Sequence, residues 1–377
     1  MTQHVRDVSD VELAKRIKEL KGITPTATFE MILKQLVPED KIQTVERIIS
    51  GLSQEDEFAL LCKMLNCCSS ITPLNQTPIV DEDEITPDFQ ATFHPGSFLS
   101  GVSSLDAPAF NCMIEVKSTE KLKFKSSRSD IEKRRRFAAR YNLPLLYAIR
   151  FTAVKHHAFW VVVSADDLYD KNRIDTSSYV DSLGQLLFDN YSIMVNSSYT
   201  LVRRYSKNKA GIGEKHETLG ELQSLDLVNG DGKAYRPSSK DSLVLAMLYN
   251  IFADTKSYTE THNDESVVYS GFELMRLLTL MDAVYYLNNI ISDADGNKYY
   301  EPVRAMANLD SPTNPTMIID RSVVEGVIRR VNEVCHNFFL FGILGDHSGR
   351  VNKLIKLMEI NGVGSSNEVK AVNLRGR

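Results

Sequence analysis

The chain has 377 residues, 43% hydrophobic and 25% charged, with a formal net charge of −5. Such a composition belongs to folded proteins of two or three domains and excludes disordered, collagenous and disulfide-scaffold classes. The longest nearly uncharged apolar run near the C-terminus, residues 338–345, is far short of a bilayer span, and the first 22 residues mix both charge signs without an apolar stretch, so neither a membrane span nor a signal peptide is expected and a cytoplasmic location is.

Apolar residues recur three and four positions apart over 11–20, 28–36, 40–49 and 54–65, which predicts four helices. Ser9, Thr28 and Ser53 stand before these runs as candidate N-caps, and Ser53 with Asp56 approximates a capping box. Five cysteines are too few and too scattered for a disulfide framework. Cys67 and Cys68 are adjacent, Cys62 lies five residues earlier, and no Cys-x-x-Cys pair occurs, so structural zinc is not expected. After Ser69 the texture turns to Pro, Thr and Asn with an acidic run at 81–84, the pattern of an exposed loop that ends at Thr86-Pro87.

Residues 88–93 alternate apolar and polar, and 112–117 form a short β-rich run, with a Gly/Ser/Pro-rich connection over 95–108 between them. A helix follows over 129–141, then apolar strands over 143–151 and 157–164. Strands alternating with a crossover helix imply an α/β (α+β) fold, a mixed central sheet flanked by helices. Residues 206–240 are rich in Gly and polar residues, including Asn229-Gly230-Asp231-Gly232, and read as a linker. Beyond 241, helical periodicity over 242–252, 271–291, 321–341 and 350–360 predicts a mainly helical C-terminal domain. The resulting division is a helical segment 1–52, a core 53–205, the linker 206–240 and the helical domain 241–377. His156 and His157 lack partners at ligand spacing, and Asp293 to Asn297 reads as a turn rather than a calcium loop.

Chemistry concentrates in Pro87-Asp88 at the head of one strand and Glu115-Val116-Lys117 in the next. Two carboxylates brought together by adjacent strands make an all-oxygen site suited to Mg²⁺, with the Val116 carbonyl as a further ligand. Side chains repeat every two residues along a strand, so Lys117 shares the Glu115 face, where its cation can orient or deprotonate an attacking water and neutralise an attacked phosphate. Glu115 and Lys117 also fit a simple surface ion pair. Between 115 and 140 stand ten Lys or Arg against four Asp or Glu, +6 in an acidic chain. Lys121, Lys123, Lys125, Arg128, Lys133, Arg135 and Arg136 would track phosphates. Arg134 falls on the apolar stripe of Ile131, Ala138 and Tyr141, so it reaches either a motif carboxylate or the scissile phosphate, the second being favoured. The chain has no phosphate-binding loop of the G-x-x-x-x-G-K-[ST] type and no G-x-S-x-G elbow.

On these residues, over roughly 53–164, the sequence resembles the PD-(D/E)XK nuclease superfamily. The resemblance implies a restriction-endonuclease-like fold and Mg²⁺-dependent hydrolysis of DNA phosphodiesters leaving a 5′-phosphate, with Mn²⁺ as the alternative ion. It also implies a restriction or anti-phage setting and a homodimer, one site per strand. A glutamate on the preceding helix assists metal binding in that family. Glu57 fits this place better than Glu55, because Leu60, Leu61, Met64 and Leu65 lie three, four, seven and eight residues after it. The 27 residues from Asp88 to Glu115 exceed a tight hairpin, which leaves Asp83 and Asp106 as fallback acids. The C-terminal domain would bind target, a partner subunit or an activating signal. A non-catalytic DNA-binding or assembly protein of the same fold, and a ribonuclease using the same site, are the competing readings.

Overall fold

The computed structural model describes residues 10–75, 84–96, 109–153, 158–212, 215–237, 256–272, 278–290, 302–309, 311–312 and 317–360. They fall into two compact units, one from 1–190, 291–318 and 344–377, the other from 191–290 and 319–343. Asp83, Asp106, His156, His157, the turn at 293–297 and the helix expected over 242–252 lie outside the described residues.

The first unit opens with helices α1 (Asp10–Ile23), α2 (Thr26–Leu36) and α3 (Ile42–Leu65), which bury Ala14, Ile17, Phe29, Leu33, Val45, Ile49 and Leu52 in a small core. The two helices expected over 40–49 and 54–65 are one. Continuing through Ser50-Gly51 costs about 1 kcal/mol in helix propensity, less than exposing Ile49 and Leu52, both of which are buried on the same stripe. Ser53 is therefore interior rather than a cap, and Thr28 lies inside α2, which begins after Pro25.

A five-stranded mixed sheet follows, from β1 (Cys68–Pro73), β2 (Phe89–Phe93), β3 (Phe110–Thr119), β5 (Leu145–Phe151) and β6 (Phe159–Ser164), with the two-residue β4 (Lys123–Phe124) beside it. The order is β1-β2-β3-β5-β6. β3 and β5 run parallel, joined through α4 (Arg128–Arg140), and the other neighbours are antiparallel. β1 replaces part of the expected loop. An edge strand needs only backbone pairing, so its mostly exposed Ser, Thr and Pro hid it from a hydrophobicity pattern.

Alternation along the strands sorts the two faces. Met113, Leu145, Tyr147, Ile149 and Phe151 pack with Ile131 and Ala138 of α4 and with Leu168 of α5 (Ala165–Lys171). On the other face Phe58 of α3 meets Trp160 of β6, ring centroids 5.2 Å apart, and Phe188 at 6.2 Å. The sheet is thus sandwiched between α3 and the α4–α5 pair, and its ends carry the polar residues.

The second unit corrects the reading of residues 206–240 as a linker and adds strands to the stretch 241–377 expected to be mainly helical. Strand Thr200–Ser206 lies between Gly220–Val228 and Glu265–Gly271 in a six-stranded antiparallel sheet, completed by Lys215–His216, Ala234–Tyr235 and Lys256–His262. The glycines and polar residues over 206–240 make the turns between these strands. Of the expected helix 271–291, Leu280–Ile290 is helical among the described residues, and that over 321–341 stops at Val334 before strand Phe339–Gly342. His347–Ile360 is helical as expected but belongs to the first unit.

Phe58 is fully buried. Its replacement by Ala removes ring contacts that the sheet cannot refill, so Phe58→Ala should lower unfolding free energy by about 3–5 kcal/mol. Urea denaturation checks this, and a loss below about 1 kcal/mol would contradict the packing described.

Candidate functional site

Residue pairing between β2 and β3 ends at Phe89↔Ile114. One step further along the same register, Asp88 stands across from Glu115, which puts both side chains on one face. Both are buried, at 5% and 1% exposure. Backbone pairing has stopped here, and the Val116 N–H donates instead to Asp88 Oδ2 at 2.7 Å. The N–H and C=O of a strand residue point the same way, so the Val116 carbonyl is turned toward the side from which Asp88 reaches.

Glu115 is held by cations. Lys117, on the same face, donates from Nζ to Glu115 Oε1. Arg134 of α4 places Nη2 at 2.8 Å from the same oxygen. Its side chain is only 13% exposed, and a buried guanidinium requires an anion. The preference for a phosphate contact at Arg134 is therefore corrected: its fork ends on the motif carboxylate. Burial opposes the Arg134 charge, but Glu115 more than offsets this and holds it more firmly protonated than usual. Tyr147, paired with Glu115 in the β3–β5 register, lies alongside, its phenol pushed up by burial.

At Asp88 the balance of charges differs. Burial, then the Glu115 charge, push its carboxyl up to about 7, against the pull of Lys117, the Val116 N–H and Arg134. A third acid joins from α3. Burial, then the Asp88 charge, raise Glu55 to about 8, against Lys18 and Lys15. The helix acid that feels Asp88 is thus Glu55. Glu57, the residue favoured from the apolar stripe, is buried and pairs through Oε2 with Arg150 Nε of β5 at 2.8 Å.

The basic residues separate into two groups. Lys121, Lys123, Lys125, Arg128 and Arg136 are exposed, and Lys133 is half-buried. Arg135 does not fan outward as expected: Nη2 meets Asp166 at 2.7 Å, Nη1 meets Glu132 at 3.1 Å, and its guanidinium sits 5.5 Å from the Tyr169 ring centroid. Its charge is answered within the unit.

The donor set fits a hard divalent cation. Glu115 Oε2 is buried and meets no hydrogen-bond donor among the described residues, while Asp88 and Glu55 repel one another as anions. Carboxylate oxygens and a backbone carbonyl are ligands that Mg²⁺ and Mn²⁺ accept.

No protein-family model and no curated protein matches the chain. Among solved structures it is similar to Hjc, a Holliday junction resolvase from Archaeoglobus fulgidus, at 19% identity and a TM-score of 0.25, over 34% of this chain and 92% of that one. A likeness of that size decides nothing about activity. Among the described residues no helix is long and apolar enough to cross a membrane.

The raised carboxyls dictate a pH response. Asp88 and Glu55 keep protons in the folded chain, up to about 7 and 8, that they release above pH ~4 when unfolded. Each therefore lowers the stability of the metal-free protein as pH rises from about 4 toward 8. Relative to wild type, Asp88→Asn should gain stability across that window, by on the order of 1–4 kcal/mol, as urea denaturation at stepped pH would show. A difference that stays flat or shrinks with pH would refute the assignment.

Proposed function

We propose that the chain is a divalent-metal-dependent nuclease that hydrolyses DNA phosphodiesters. One observation carries the reading: Asp88 and Glu115, 27 residues apart in sequence, face each other as buried carboxylates at the end of the β2–β3 pairing, with a lysine cation on the second. A solvated surface ion pair, the plainer account of Glu115 and Lys117, does not bury a carboxylate to 1% exposure.

Asp88, Glu115 and the Val116 carbonyl would hold Mg²⁺ or Mn²⁺, with Glu55 in the supporting place on α3 and Glu57 bracing that helix to β5 through Arg150. Bound there, the ion supplies Lewis acidity toward a phosphate oxygen and makes a neighbouring water a stronger acid. Lys117, about a third exposed, is the group able to leave Glu115, orient the attacking water and face the developing phosphate charge. Arg134 holds Glu115 in place through its contact with Oε1. Lys121, Lys123, Lys125, Arg128, Lys133 and Arg136 supply the sequence-independent attraction to a phosphate backbone. Hydrolysis leaving a 5′-phosphate, a homodimer that places one site on each strand, and a restriction or anti-phage setting extend the same reading.

Purified protein incubated with supercoiled plasmid and linear duplex, with Mg²⁺, with Mn²⁺ or with chelator, should cut only with metal. Lys117→Ala and Glu115→Gln should each lower the cutting rate by at least about 100-fold while binding to duplex in chelator persists. Wild type that binds duplex with steep salt dependence yet never cuts would make this a non-catalytic DNA-binding or assembly protein, and cleavage confined to single-stranded RNA would transfer the site to a ribonuclease.

Arg134 and Lys133 separate positioning from attraction. Arg134→Met should reduce the maximal rate with little change in duplex affinity, whereas Lys133→Ala should weaken affinity and reduce the salt dependence of binding by about one counterion. Filter binding over a salt series, paired with cleavage under saturating DNA, reads both. Equal behaviour of the two variants would refute the division of roles.

A further inference from the structure

Three of the five cysteines converge at the opposite end of β2 from Asp88. Helix α3 ends on Asn66, whose left-handed backbone (φ 47°) folds the chain back on itself. The reversal returns Cys67 to Cys62: the Cys67 N–H donates to the Cys62 carbonyl at 3.3 Å, and its Sγ lies 3.6 Å from the same oxygen. Two neighbouring strand residues would normally point to opposite faces. Here Cys67 precedes β1, and a register irregularity between Cys68 and Ser70 follows, so both thiols reach one side. The Sγ atoms of Cys62, Cys67 and Cys68 all lie within 4.8 Å of one another.

That spacing suits a metal. Sulfurs held at ~2.3 Å from one tetrahedral ion stand roughly 3.8 Å apart. All three cysteines are free thiols, Cys62 and Cys67 buried and Cys68 half-buried. A fourth donor stands near, its ring nitrogens outside the 4.8 Å group that the three sulfurs form. His94, just past β2, donates its backbone N–H to the Cys67 carbonyl at 3.0 Å, and its charge reaches Cys68. Its Nδ1 is buried and has no hydrogen-bond partner among the described residues, which leaves a ring nitrogen available as a ligand.

We propose that Cys62, Cys67, Cys68 and His94 form a Cys₃His site for Zn²⁺ that ties the end of α3 to β1 and β2. Thiolates and imidazole select a softer ion than the carboxylates around Asp88 do. Asp88 and His94 are six residues apart along a strand, about 20 Å, so the site is separate from the proposed cleavage centre. It clamps the elements that carry Glu55 and Asp88 without touching a reacting atom. A small, buried thiol cluster with no ion is the competing account, and the two differ in what they do with cobalt.

Reduced, metal-depleted full-length protein titrated with Co²⁺ should take up one ion per chain with a thiolate-to-cobalt charge-transfer band and intense tetrahedral d–d absorption, both abolished by one equivalent of Zn²⁺. Zn²⁺ should also raise the melting temperature. Cys68 is half-buried, so Cys68→Ser should fold and bind Co²⁺ at least about tenfold more weakly, as should His94→Gln. Glu115→Gln should leave the band unchanged, which distinguishes this site from the carboxylate centre. Wild type that shows no charge-transfer band, or a band that persists at full affinity in folded Cys68→Ser, overturns the proposal. Should the serine variant not fold, the wild-type cobalt spectrum decides alone.

Discussion

Two carboxylates buried face to face impose the main constraint on the first unit. Asp88 and Glu115 repel one another where water cannot screen them, a cost that no sheet tolerates without compensation. Compensation comes from several elements at once: the Val116 N–H left over where the β2–β3 ladder stops, Lys117 two residues along the same face, and Arg134 from the helix that crosses from β3 to β5. Each depends on the register. A slip of β2 by one residue would turn Asp88 to the opposite face and bring Phe89 or Pro87 against Glu115 instead.

The compensation is uneven, and the unevenness has chemical content. Glu115 receives both nearby cations through one oxygen, and its other oxygen is left bare. Asp88 receives a neutral N–H, so near neutrality it shares its site with a proton. Under the proposed function, a divalent ion held by Asp88 and Glu115 would meet the bare oxygen and take the place of that proton, which would leave Lys117 less needed at Glu115. Arg134 is more deeply buried than Lys117, and a guanidinium does not give up its proton. Of the two cations the lysine is the more exposed and the freer to change partner.

What could be read in the sequence followed from how each element buries itself. β2, β3, α4, β5 and β6 show apolar alternation or helical spacing against a solid core, and the Asp88, Glu115 and Lys117 positions came with them. The two acids of α3 part for a geometric reason. Spacing from Leu60, Leu61, Met64 and Leu65 identifies the acid nearest the buried stripe, and that is Glu57, which goes under the sheet to Arg150. Glu55, about 200° around the helix from Glu57, is the one whose charge is coupled to Asp88. The stretch 206–240 was misread because the glycines of its turns, not the apolar residues of strand Gly220–Val228, dominate its composition. The cysteine cluster was hidden because the convergence depends on a left-handed Asn66 and a strand irregularity, neither of which is written in the spacing of the cysteines.

The same distinction applies to the basic stretch. Charge counting over 115–140 treats every Lys and Arg as available to a partner, yet burial and local anions remove two of the eight residues named as phosphate contacts. Arg134 is committed to Glu115, and Arg135 to Asp166, Glu132 and the Tyr169 ring. The arginines pulled inward lie one after the other on α4, where the helix passes over the sheet and meets α5. The cations that remain outward lie mainly in the β3–α4 connection and at the helix start, beside Lys117. The exposed cations therefore gather in the stretch that follows Lys117 rather than along the whole helix. Under the proposed function, a polyanion drawn to that stretch would arrive at the β3 strand that carries Glu115 and Lys117.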